Sequence, residues 1–125
     1  MLRIITGTGL ALASVCLALI TSAPPALAEA PPAIQLGSDT KAKTPAECMR
    51  DAQFAITETG LQVAFTADPQ IVGTGSLNGA GVAVIVTCLG MGSRTFISVV
   101  GTSQDSGAAE QARNRVRTIT MGPAS

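Results

Sequence analysis

From residue 44 onward the apolar positions recur first at helical spacing, then at every second residue, then at helical spacing again. Over 44–59, Cys48, Ala52, Ala55, Ile56 and Thr59 fall on one face at about 100° per residue, with Met49 at its border. Glu47, Arg50, Asp51 and Glu58 lie opposite, and Phe54 on that polar side is expected to be a partly exposed edge contact. Thr44-Pro45-Ala46-Glu47 has the form of a capping box with proline at the first helical position. Gly60 suits the left-handed residue beyond the helix end, with Leu61 folding back against it.

Period two then takes over. Leu61 to Thr66 alternates as a half-buried strand would, and Asp68-Pro69 forces a turn. Gln70 to Leu77 and Ala80 to Cys88 read as a hairpin around Asn78-Gly79, a pair that tolerates the positive φ angles of a type I′ turn. Leu89 to Ser93 is expected to be a second turn, and Arg94 to Gly101 a strand antiparallel to its predecessor. A polar loop follows over Thr102 to Ser106, with Ser103, Asp105 and Ser106 as candidate N-caps. The last helix is expected from Ser106 or Gly107 to Ile119, with Ala109, Ala112, Val116 and Ile119 on its apolar face.

These elements predict an α+β fold: an antiparallel three- to four-stranded meander with two helices packed on one face, in the order α-(β)-β-β-β-α. The run Val82-Ala83-Val84-Ile85-Val86-Thr87-Cys88 is its expected centre, because β-branched side chains pack well on a pleated surface. Val82, Val84, Val86 and Cys88 share one side of it; Ala83, Ile85 and Thr87 take the other.

The N-terminus follows neither period. Met1-Leu2-Arg3 is a short positive start, Leu10 to Ile20 is apolar, Pro24-Pro25 breaks the run, and Ala26-Leu27-Ala28 supplies small residues for a signal peptidase. Residues 1–28 therefore read as a secretory signal peptide cleaved near Ala28, giving a secreted or periplasmic product. From Ile4 the apolar stretch is about 17 residues, interrupted by Thr6 to Gly9 and short of the roughly 20 needed to span a bilayer, so the mature form is not expected to cross a membrane. Cys16 is a poor lipidation site, with Ala13 and Val15 before it and an apolar run after it. Residues 29–43, rich in Pro, Ala and charge, read as a disordered spacer. The domain is expected over 44–120, with 121–125 frayed.

Cleavage changes the composition that matters. The whole chain has eight Lys/Arg against eight Asp/Glu; losing Arg3 leaves seven against eight, which draws it to neither nucleic acid nor an acidic membrane. Cys48 and Cys88 remain, and in an oxidising compartment such a pair reads as a disulfide. Phase agrees: Cys48 lies on the buried face of the first helix, and Cys88 is in register with the valines.

The chain contains no histidine, which removes the commonest general base and most zinc sites. A disulfide removes both thiols as nucleophiles. The glycine-rich Gly73 to Gly81 lacks the Gly-Lys-Ser/Thr of a phosphate loop and precedes a strand instead of a helix. No catalytic residue, metal ligand or cofactor is expected. Glu47, Asp51 and Glu58 would serve acid/base chemistry only in a cleft that shifts their pKa values. Arg113, Arg115 and Arg117, with Arg94, form the single patch of one sign, a candidate site for a polyanion or acidic lipid headgroup. Complementing the helix dipole would explain the first three equally.

The layout resembles a class of small secreted bacterial domains of unknown function. Its marks here are Cys48 in a first helix, Asn78-Gly79, the strand Val82 to Cys88, the strand ending Val99-Val100-Gly101, and the Ala/Arg-rich helix Ala108 to Arg117. The resemblance spans about 44–119 and implies no activity. The expected function is a non-catalytic module acting by binding or as an envelope component, with partner unknown. Alternatives are a small hydrolase or ligand-binding domain using carboxylates and arginines, the polyanion binder, and a homo-oligomer built through the open sheet face at Ala83, Ile85 and one side of Thr95 to Val100.

Overall fold

The structure is a computed structural model and describes residues 31–122. The expected signal peptide, its cleavage site at Ala28 and Cys16 lie outside the described residues, as do residues 123–125.

The elements run β1 (Ala33–Lys41), α1 (Pro45–Glu58), β2 (Gln62–Ala67), β3 (Gln70–Leu77), β4 (Ala80–Met91), β5 (Arg94–Ser103) and α2 (Ser106–Met121). They form one five-stranded antiparallel sheet in the order β1-β5-β4-β3-β2. β2 to β5 are the expected meander. The chain enters at one edge of the sheet as β1, crosses its whole width through α1, and starts the meander at the far edge. Both helices pack on the same face, against the sheet and against each other.

Two expectations need correction. The sheet has five strands instead of three or four, and the order is β-α-β-β-β-β-α. The extra strand is β1, inside the stretch expected to be a disordered spacer. Its nine residues pair with β5 from Ala33↔Ser103 to Lys41↔Thr95. Local composition misleads here because β1 takes its order from its neighbours: β5 supplies the ladder, and Arg113 of α2 donates to the Leu36 carbonyl at 2.9 Å. Arg94 donates to the Thr40 carbonyl, also at 2.9 Å, and the buried Thr95 hydroxyl donates to the Lys43 carbonyl.

The remaining elements stand where the pattern puts them, with shifted ends. Thr44 caps α1 by accepting from the Glu47 amide at 3.1 Å. Among the described residues, the return bond from the Glu47 carboxylate is not made. At the other end Gly60 has φ +85°, and the Leu61 amide reaches back to the Ile56 carbonyl at 3.1 Å, which is the Schellman closure. β2 is a strand, but every residue in it is exposed, because it is an edge with a bulge between Val63 and Phe65. The β2–β3 turn is Asp68-Pro69, joined by a cis peptide bond. Asn78 and Gly79 take φ +53° and +80° between the paired Leu77 and Ala80. β4 extends to Met91, so the second turn is only Gly92-Ser93 instead of Leu89 to Ser93. Asp105 is the N-cap of α2, accepting from the Gly107 and Ala108 amides. Met121, expected to fray, is the last helical residue and is buried.

The core lies between sheet and helices: Val82, Val84, Val86 and Cys88 of β4, Ile97 and Val99 of β5, Ile71 of β3, Ala52, Ala55 and Ile56 of α1, and Ala112 and Val116 of α2. Cys48 and Cys88 are bonded, 6.0 Å apart at Cα, tying the first turn of α1 to the far end of β4. Glycines bring the layers close. A Cβ on Gly101 would lie 2.5 Å from the Ala109 carbonyl oxygen of α2, and one on Gly73 would meet the Ile56 side chain at the same distance.

Candidate functional site

Among the described residues, the helices cover one face of the sheet and no element lies over the other. Directly paired residues of neighbouring strands share a face, so the register identifies the exposed rows. Leu36 pairs with Val100, Val100 with Ile85, Ile85 with Val72, and Val72 with Phe65. One apolar residue from every strand thus forms a stripe across the full width of the sheet. Leu36 and Phe65 at its ends are 61% and 58% exposed; Val100, Ile85 and Val72 between them are half-buried.

The flanking rows are uncharged. Thr102, Ala83 and Thr74 run along one side, with the exposed Ile34 at the end of the row. Ser38, Ser98, Thr87 and Gln70 run along the other, where the Gln70 amide donates to the Thr87 hydroxyl at 3.3 Å. Beyond these hydroxyls Phe96 and Leu89 pair. Among the described residues the charge on this face is that of Arg94, at one corner, where it pairs with Met91 and is bonded to Thr40.

Of the expected site residues, Cys48 and Cys88 are bonded to each other. The arginines are divided among separate tasks. Arg113 holds the Leu36 carbonyl, its Nε buried without a partner, and its side chain and that of Arg117 lie over Gly37 of β1. A Cβ on Gly37 would come within 2.7 Å of Arg117 Cδ. Arg94 is on the Thr40 carbonyl. Arg115 is exposed and lines a shallow depression of about 260 Å³ with Asn114, Thr118 and Ile119. Covering β1 is therefore the structural task of Arg113 and Arg117, one that a disordered 29–43 could not have suggested.

A second concavity, of about 400 Å³, lies where the β1–α1 link meets the end of α2, lined by Lys41, Lys43, Asp51, Phe54, Ile119 and Met121 among others. Lys43 Nζ donates to Asp51 Oδ2 and to the Thr120 carbonyl, each at 2.7 Å, so most of its donor capacity is already used within the fold. Lys41 pairs loosely with Asp39 at 3.8 Å. Among the described residues no group of three or more Cys, Asp or Glu side chains could hold a metal ion, and no helix is long and apolar enough to cross a membrane.

No protein-family model and no curated protein matches the chain. A solved structure, that of TTHA0849 from Thermus thermophilus, is similar over 68% of this chain and 97% of its own, at 9% identity and a TM-score of 0.36. A likeness that slight carries neither a fold nor a function across. The fold is a two-layer α+β sandwich, closed by a disulfide and, among the described residues, uncovered on the outer face of its sheet.

Proposed function

We propose that this chain is a small exported, non-catalytic module of the bacterial envelope or exterior, of the secreted class it resembles, and that it acts by binding through the open face of its sheet. The observation that carries this is the apolar stripe from Leu36 to Phe65. Soluble monomers rarely expose contiguous apolar surface on this scale without using it. Several of the groups that could do chemistry are engaged in the fold: the cysteines in their bond, Lys43 with Asp51, and Arg94 and Arg113 on carbonyls of β1. The disulfide fits an oxidising compartment, and residues 1–28 have the layout of an export signal.

Expression of the full chain in a Gram-negative host, followed by fractionation and intact-mass measurement, tests the export. The expected product begins at Glu29, resists alkylation until reduced, and lies in the periplasm or medium. Full-length cytoplasmic protein with three free thiols would overturn the reading.

A second reading rests on the cleft of Lys41, Lys43, Asp51 and Phe54. Lys41, only loosely paired with Asp39, beside an aromatic ring and apolar side chains suits a small anion with an apolar portion. Titration of such carboxylates, followed by amide chemical shifts, would move the signals of Ala42 and Phe54 if the cleft binds them.

A further inference from the structure

The partner of the open face follows from its area and its charge. This inference rests on the reading that the face binds. Neighbouring strands lie about 4.8 Å apart and side-chain rows about 6.8 Å apart, so each outward position covers about 33 Å². Three rows cross all five strands and a fourth, of Thr40, Phe96 and Leu89, crosses three, which gives about 590 Å² from each of two such faces, or about 1,200 Å² in all, at the lower edge of the roughly 1,200–2,000 Å² of a specific, stable interface.

A surface that pairs with itself must carry no charge that meets its own image, and this one carries Arg94 alone, at a corner. An axis of two-fold symmetry lying between two sheets and passing through Ile85 lays stripe on stripe, with Ile85 against its counterpart. The same rotation carries Arg94 to the side of the interface away from its own copy. Side chains of Val, Ile and Leu size match the spacing of about 10 Å between stacked sheets.

We infer that the open face is covered by a second copy of this chain, the Leu36–Val100–Ile85–Val72–Phe65 stripes of two copies stacking to form a four-layer dimer with helices outside and sheets within. The face is isologous, as most homodimer interfaces are. Charged partners have only Arg94 to recognise, at one corner: both flanking rows are uncharged.

Sedimentation equilibrium of the processed protein, made from the full chain, tests this. The expected mass is twice that of the chain at about 100 μM, with a dissociation constant weakened at least about 100-fold by L36E and by I85E. Leu36 is largely exposed, so L36E is expected to keep the circular dichroism spectrum of the parent even if I85E does not. Q53E alters an exposed residue of α1, away from the sheet face, and is expected to remain dimeric. A parent that is monomeric at that concentration overturns the inference, whether or not it binds lipid vesicles or another protein by this face. So does a dimer that survives L36E or is lost in Q53E. Export is judged separately, by processing at Ala28, so the two readings can fail independently.

Discussion

Breaking the Cys48–Cys88 bond is the perturbation whose size can be worked furthest. The two residues are 40 apart in sequence, and both are essentially inaccessible, at 0% and 1% exposure. In the chain-entropy treatment, opening a loop of that length restores about 13 cal/mol/K to the unfolded chain, about 4 kcal/mol at 25 °C. A typical domain has about 5–15 kcal/mol in total, so the bond represents between a quarter and most of the stability. At about 4–8 °C per kcal/mol for a domain of this size, reduction is expected to lower Tm by about 15–30 °C. The C48A/C88A variant should fall further, by about 1 kcal/mol for each sulfur removed from a packed site. Thermal melts by circular dichroism, with and without reductant, separate these contributions, because reduction keeps both sulfurs in place and the variant does not. A Tm within about 5 °C of the oxidised protein after complete reduction would refute the reasoning.

G101A places a methyl group 2.5 Å from the Ala109 carbonyl oxygen, a backbone atom that can move only with α2. The expected loss is about 1–3 kcal/mol from overpacking, offset by about 0.4–1 kcal/mol gained in the unfolded chain, and urea denaturation reads the net. T95V keeps the buried shape but takes the hydroxyl from the Lys43 carbonyl; an unpaired acceptor there should cost about 1–3 kcal/mol by the same measurement. Deleting Ala33–Lys41 should expose β5 as an edge and leave Arg94 and Arg113 without their acceptors. Rapid proteolysis or aggregation is expected, whereas a disordered spacer would be lost without effect on the melt.

The absence of histidine and the pairing of Cys48 with Cys88 were legible in the sequence. The stripe was legible only in part. Ala83 and Ile85 were readable as the outer side of β4 from the period of two. Leu36 and Phe65 were not, since each lies on an edge strand whose place is set by pairing. The arginines of α2 show the cost of missing one strand. With β1 taken as spacer, Arg113 and Arg117 look like a free cationic patch; with β1 in the sheet, they are its cover.

The sequence by itself determined α1, α2 and the three strands β3 to β5, because their capping residues, turn residues and apolar periods act within a few positions of one another. It also determined the disulfide, through the agreement of two local phases. Tertiary structure decided β1, the exposure of β2, the buried end of α2, and the continuity of the stripe. Each of these depends on hydrogen bonds or contacts between residues far apart in the chain, as when Leu36 meets Val100 or Arg113 reaches the Leu36 carbonyl. No local pattern encodes which edge of a sheet a short polar-flanked segment will join; the free backbone groups of β5 do.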